Sequence, residues 1–163
     1  MSLSTTTGGM KIMNMMRKDA ESAFVKFNEN GKSVWMIHKI KNIPIELFDV
    51  AFRLAELDFI KFVRITNDSI SASNEIEGSR IKIPVTKMNH ASAIGIKIVF
   101  HYEFKTLEFY EINSAIKGNG SKMVDSVFVD FPLDWQVAVV MDWSDGFWDK
   151  MKERYDKINW TIF

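Results

Sequence analysis

The sequence predicts an α+β domain, and three observations predict it. Residues 106–141 read as a strand, a glycine turn, an amphipathic helix and a second strand, which together make one βαβ unit. Further strand-like runs lie before it, interrupted by a helical stripe at 45–57. The chain has 163 residues, 47% of them hydrophobic and 13% aromatic, enough for one substantial core in one domain.

Taken in order, residues 1–9 (MSLSTTTGG) are small and polar and read as a disordered tail, leaving a single domain at 10–163. Met13, Met16, Ala20 and Phe24 fall at helical spacing within 10–27, on a methionine-rich face that suits core filling or a grip on a flexible partner. NENGK at 28–32 is a turn, 33–40 a strand, and 42–44 breaks it. Leu47, Phe48, Ala51, Leu54 and Ala55 then form a helical stripe that leaves Arg53 and Glu56 outside. FIKFVRI at 59–65 reads as a strand. Residues 67–80 (NDSISASNEIEGSR) are the most polar, turn-prone part of the chain and read as a surface connection or, less commonly for such a stretch, a substrate-facing loop. Pro84 consigns the short strand at 81–85 to an edge.

Residues 94–104 (IGIKIVFHYEF) are a strong strand that turns at Lys105 and Thr106 into the strand at 107–113. After Gly118 and Gly120, Met123, Val124, Val127, Phe128 and Phe131 share one face of a helix that Pro132 ends. Residues 135–141 are apolar except for Gln136, as in a strand covered on both faces. Asp142, Ser144 and Asp145 are capping residues ahead of a helix whose apolar positions are Phe147, Trp148, Met151 and Tyr155. An aromatic strand at 158–163 ends the chain.

Composition removes several function classes. The 21 basic and 21 acidic residues cancel, so nothing long-ranged draws a nucleic acid or an anionic membrane, and neither is an expected partner. There is no cysteine, which removes disulfides, thiolate catalysis and cysteine metal sites together. No apolar run reaches membrane-helix length and no signal-peptide pattern opens the chain, so a cytoplasmic protein is expected. His38, His90 and His101 are not at ligand spacing, and no metal is expected. Ser121 lacks the GxSxG elbow of a seryl hydrolase. Trp135, Trp143, Trp148 and Trp160 read as core and cleft wall rather than as a platform for bases.

The glycine corner carries the chemistry. Glycine admits positive φ and close approach, and the first amides of a helix have no partner inside it, so the turn suits a phosphate or pyrophosphate. A purely geometric turn is the other reading of a lone GxG. A P-loop is excluded because Gly118 and Gly120 run directly into Ser121 and Lys122, and a dinucleotide fingerprint would require glycine or alanine at Met123.

The order strand, GxG turn, helix, buried strand, helix beginning Phe147-Trp148-Asp149-Lys150 and terminal strand resembles the Gcn5-related N-acetyltransferase (GNAT) family. The resemblance covers roughly the last sixty residues, and the rest only by order of elements. It implies a three-layer α/β/α arrangement around a central mixed, twisted sheet of about six or seven strands. It further implies acetyl-CoA as co-substrate, bound by its pyrophosphate at Lys117, Gly118, Asn119, Gly120, Ser121 and Lys122. The cofactor arm would lie along Ile112, Asn113 and Ser114, with Ser144 a further contact at the head of the last helix. Two departures stand out: Ala115 replaces the family's usual Gln or Arg, and Trp148 replaces a tyrosine that often serves as general acid.

An amine acceptor would need a base, for which Glu108, Glu111 and the preceding strand's Glu103 are candidates. Glu108 and Glu111 are three apart and are expected on opposite sheet faces. Tyr155 is the remaining candidate donor, although it also falls on an apolar face. The helix at 45–57 would either shape the acceptor pocket or simply cover the sheet. Three functions follow: an acetyl-CoA-dependent N-acetyltransferase acting on a primary amine by direct transfer, a non-catalytic GNAT-fold protein binding acyl-CoA or a protein partner, and an interaction protein whose corner binds nothing. The terminal strand offers an edge for a homodimer.

Overall fold

Branched and aromatic runs become strands wherever a neighbouring strand and a covering helix bury one of their faces. The computed structural model describes residues 24–29, 32–37, 45–78, 81–140 and 146–162. Its strands are β1 (Phe24–Glu29), β2 (Lys32–Ile37), β3 (Phe62–Ile65), β4 (Ser69–Ser73), β5 (Ile76–Glu77), β6 (Ile83–Pro84), β7 (Ile94–His101), β8 (Thr106–Ser114), β9 (Gln136–Val139) and β10 (Asn159–Ile162). The helices are α1 (Ile45–Glu56), α2 (Asn119–Phe128) and α3 (Phe147–Arg154).

Eight strands form one mixed sheet in the order β1-β2-β3-β4-β7-β8-β9-β10, and β5 pairs β6 in a separate two-stranded ribbon. The pairs β2–β3, β8–β9 and β9–β10 are parallel; the others in the large sheet are antiparallel. The parallel pair β8–β9 and the helix α2 between them are the βαβ unit read from residues 106–141.

One sheet face carries the core. Val63, Ile65, Ile70, Ala72, Ile96, Ile98, Leu107 and Phe109 are buried on it in one cluster with Phe48, Leu54, Met123, Val124, Val127, Trp148 and Met151 from the three helices. Arg53 Nε donates to the Ser126 carbonyl at 2.6 Å and Nη2 to that of Val127 at 3.3 Å, which joins α1 to the end of α2. Burial lowers the pKa of Arg53. Lys32 Nζ reaches the Ala55 and Leu57 carbonyls at 2.5 and 2.7 Å, satisfying acceptors at the end of α1.

The sheet is larger than expected, and two strands account for it. Residues 24–29 are strand β1 where a helix to residue 27 was expected; the rest of that expected helix and the 1–9 tail lie outside the described residues. The polar 67–80 connection contains β4, wholly buried between β3 and β7. Its Ile70 and Ala72 alternate with serines, two of which, Ser69 and Ser73, are satisfied locally. Thr66 Oγ1 and Ser69 Oγ are 2.6 Å apart, and Ser73 Oγ accepts the Glu75 amide at 3.2 Å. The strand expected at 81–85 belongs to the small ribbon, with Pro84 paired to Ile76.

All three described helices contribute to the core face, and among the described residues no helix covers the opposite face. The α+β class and the mixed sheet hold. The last helix follows Gly146, which takes the left-handed region at φ 98°; the expected capping residues Asp142, Ser144 and Asp145 lie outside the described residues. No described helix is long and apolar enough to cross a membrane.

Candidate functional site

The site lies where β8 and β9 part. They pair from Thr106↔Gln136 to Phe109↔Val139 and no further. β8 continues to Ser114 against β7 alone, so among the described residues its other edge has no strand partner from Tyr110 onward. At the parting the register slips: Phe109 faces Ile98, Glu111 faces Lys97, and Tyr110 is an extra residue between them. This β-bulge reverses the alternation of the strand. Glu108 opposite Val99 and Glu111 opposite Lys97 therefore share a face, correcting the opposite faces expected from their spacing.

The open edge borders a cleft of about 480 Å³. Trp148 and Met151, both buried, Val139 and Phe147 make its apolar wall, with Trp148 packed 4.8 Å from Phe109 between ring centroids. Gly118, Gly120 and Ser121 close one end, and Lys117, Lys150 and Arg154 add three cations. Tyr110 and Glu111 stand at the bulge.

Gly118 takes φ 95°, which a side chain would strain although open space surrounds it. Gly120 differs: a Cβ there would meet Phe147 Cε1 at 3.4 Å and Ser114 Cβ at 3.9 Å, ordinary contacts that place the start of α2 beside α3. The Asn119 amide donates to the Ile116 carbonyl at 3.3 Å and the Lys122 amide to that of Gly118 at 3.4 Å. Among the described residues no backbone acceptor takes the Gly120 and Ser121 amides. With no acidic residue in the first turn of α2, these amides suit an anion.

The structure gathers most of the expected residues. Glu111, Ile112, Asn113, Ser114, Lys117, Gly118, Gly120 and Ser121 line the cleft; Asn119 and Lys122 belong to the same turn but not to the wall. Ser144 lies outside the described residues. Asn113 is engaged by its side chain: Nδ2 donates to the His90 and Ala93 carbonyls at 3.2 and 2.7 Å, and Oδ1 accepts the Asn89 amide at 2.9 Å. Glu111 accepts from Thr86 Oγ1 at 2.8 Å.

Glu108 and Tyr155 do not line the cleft. Glu108 pairs with His101 at 2.8 Å. The Tyr155 hydroxyl donates to Asp125, whose carboxylate also takes Arg154 Nη1 at 2.8 and 3.0 Å. Burial, then this bond, pushes the Tyr155 pKa up to about 12. Tyr110, Met88, Asn89, Lys150 and Arg154 line the cleft without having been singled out as site residues. Lys150 stood in the Phe-Trp-Asp-Lys stretch; Tyr110 carries no sequence signal, because its place depends on a register slip.

Comparison with family models, curated proteins and solved structures gives no match.

Proposed function

We propose that the chain is a GNAT-like N-acetyltransferase that moves the acetyl group of acetyl-CoA directly to a primary amine. One observation carries this reading: from Tyr110 onward an edge of β8 without a strand partner among the described residues runs to the glycine-cornered start of α2 along one cleft. An extended molecule with amides in its middle and a pyrophosphate at one end matches that combination. The pyrophosphate would take the Gly120 and Ser121 amides, with Lys117, Lys150 and Arg154 around it. The amide arm would run beside residues 110–114 as an added strand, hydrogen bonded to backbone. Its thioester would then reach the bulge.

At the bulge the amine nitrogen attacks the thioester carbonyl, the C–S bond breaks, and acetyl passes to nitrogen as coenzyme A leaves as a thiolate. Glu111 takes the proton from the attacking nitrogen, directly or through water. Tyr110, the phenol lining the cleft, or water returns a proton to sulfur. Holding both reactants in one cleft supplies the proximity part of the acceleration.

A non-catalytic acyl-CoA binder is the second reading. It is favoured by Trp148 at the position where the resembled family often has tyrosine, and by Tyr155 being engaged with Asp125. Calorimetry with acetyl-CoA tests both readings, on the wild type and on the double variant Gly118→Ala, Gly120→Ala. Micromolar binding lost in a folded variant, with thiol release on adding amines, is the result expected. Binding without thiol release across an amine panel selects the second reading, and no binding to the wild type ends both.

A further inference from the structure

The sheet face opposite the core carries a row of side chains that the acyl-transfer chemistry leaves largely unused. Trp35, Arg64, Ser71, Lys97 and Glu111 are successive register partners across β2, β3, β4, β7 and β8. Register partners share a face, so the five stand side by side. Trp35 agrees with this placement, being 6% exposed yet outside the core cluster.

Arg64 is the unusual member. Its Nε is buried with no hydrogen-bond partner, the one such side-chain atom among the described residues. Among the described residues no hydrogen bond or ion pair joins its guanidinium to another residue. Burial lowers its pKa, but a guanidinium remains charged at neutral pH. A partly desolvated cation without a carboxylate is costly, and an arriving anion is a direct way to satisfy it. Two strands away, Lys97 Nζ lies 4.9 Å from the Tyr110 ring centroid and has no acidic ion-pair partner among the described residues.

Of this row Glu111 lines the cleft, and Arg64, Ser71 and Lys97 extend away from it across the sheet. Strand spacing puts Arg64 and Glu111 about 14 Å apart at the backbone, and their side chains shorten the gap. The segment after β6 bounds the row near β7 and β8: the Val85 carbonyl oxygen lies 2.3 Å from where a Gly95 Cβ would stand, and Thr86 bonds Glu111 at 2.8 Å.

We propose that this row is the acceptor subsite and that the acceptor is a primary amine also bearing a carboxylate, an amino acid or short peptide. The carboxylate sits on Arg64, supported by Lys97, and the amine reaches Glu111. The planar fork of arginine matches a carboxylate in two parallel hydrogen bonds. The two cations are spread along a row rather than converging, which suits this smaller anion better than a phosphate. The amine's position rests on the transferase reading; the carboxylate contact at Arg64 does not.

The test is equilibrium binding of ω-amino acids of three to six carbons, their amides, and aminoalkyl phosphates of matching length, without acetyl-CoA. Wild type, Arg64→Met and Arg64→Lys are compared, each checked by circular dichroism and thermal melting. Arg64→Met keeps the length of the stem and removes the buried unpartnered nitrogen, so it should fold. The wild type should bind an acid about 10- to 100-fold more tightly than its amide. Arg64→Met should level the two, and Arg64→Lys should keep part of the preference. Equal binding of acid and amide by wild type, or a preference surviving in folded Arg64→Met, overturns the proposal, as does tighter binding of the phosphates than of the acids. A parallel acetyl-CoA titration separates the failures: no binding there ends the transferase reading while the Arg64 preference is judged on its own result.

Discussion

Glu111 stands opposite Lys97 across the β7–β8 pair because Tyr110 is an extra residue in β8. That one insertion turns the Glu111 carboxylate onto the same face as Glu108 and brings it to the cleft, next to where the described pairing of β8 with β9 stops. The bulge thus relates the acidic group, the open strand edge and the row leading to Arg64.

The two glutamates should separate in kinetics. With acetyl-CoA and an accepted amine, Glu111→Gln should lower kcat/KM about 10²- to 10⁴-fold, the range for a lost general base. Glu108→Gln, whose partner His101 lies outside the cleft lining, should stay within a few-fold. Equal losses in a thiol-release assay would remove Glu111 from the role.

Gly118 and Gly120 should differ in what alanine costs. Gly118→Ala places a Cβ in open space but at φ 95°, and should destabilise by about 1 kcal/mol or more. Gly120→Ala meets Phe147 at 3.4 Å in ordinary helical backbone, and should cost less than about 1 kcal/mol if the ring shifts slightly. Urea unfolding of the single variants checks the order.

Tyr155 should mark the alkaline limb of stability. Its pKa is raised from 10.0 to about 12, burial first and the bond to Asp125 next. The unfolded chain therefore loses this proton first as pH rises, so the contribution is fully present below pH 10 and is lost on the way to about pH 12. Tyr155→Phe should show a shallower decline over that window in denaturant midpoints. Its transferase rate should remain within a few-fold, against the 10²-fold or greater loss expected of a general acid.

Arg53 joins α1 to the C-terminal end of α2 through the carbonyls of Ser126 and Val127. Arg53→Ala should cost about 1.5–3 kcal/mol, the range for hydrogen bonds to a charged group. Because α2 carries the glycine corner, exchange of its hydrogen-bonded amides, that of Lys122 among them, should quicken in the same variant. A stability change below about 0.5 kcal/mol would show that these contacts contribute little.

Local pattern was a sound guide where one face of an element had to be apolar. The stripe through Phe48, Ala51 and Leu54 became α1, the spacing from Met123 to Phe128 became α2, and the aromatic run after Thr106 became β8. It failed where burial came from neighbours. Serines in β4 read as loop formers, yet pairing with β3 and β7 buries them, with Ser69 and Ser73 bonded locally, and β1 is a strand through its pairing with β2.

The glycine corner and the residues along 111–121 that line the cleft were legible from the amino-acid order, since φ-positive glycine and the unbonded first turn of a helix are local properties. Only the tertiary structure decided which glutamate faces the cleft, that Tyr110 joins it, that Tyr155 is held by Asp125, and that Arg64 lies in a row with Lys97 and Glu111. Those relationships depend on strand register across distant segments, and a slip of one residue exchanges the two faces of a strand.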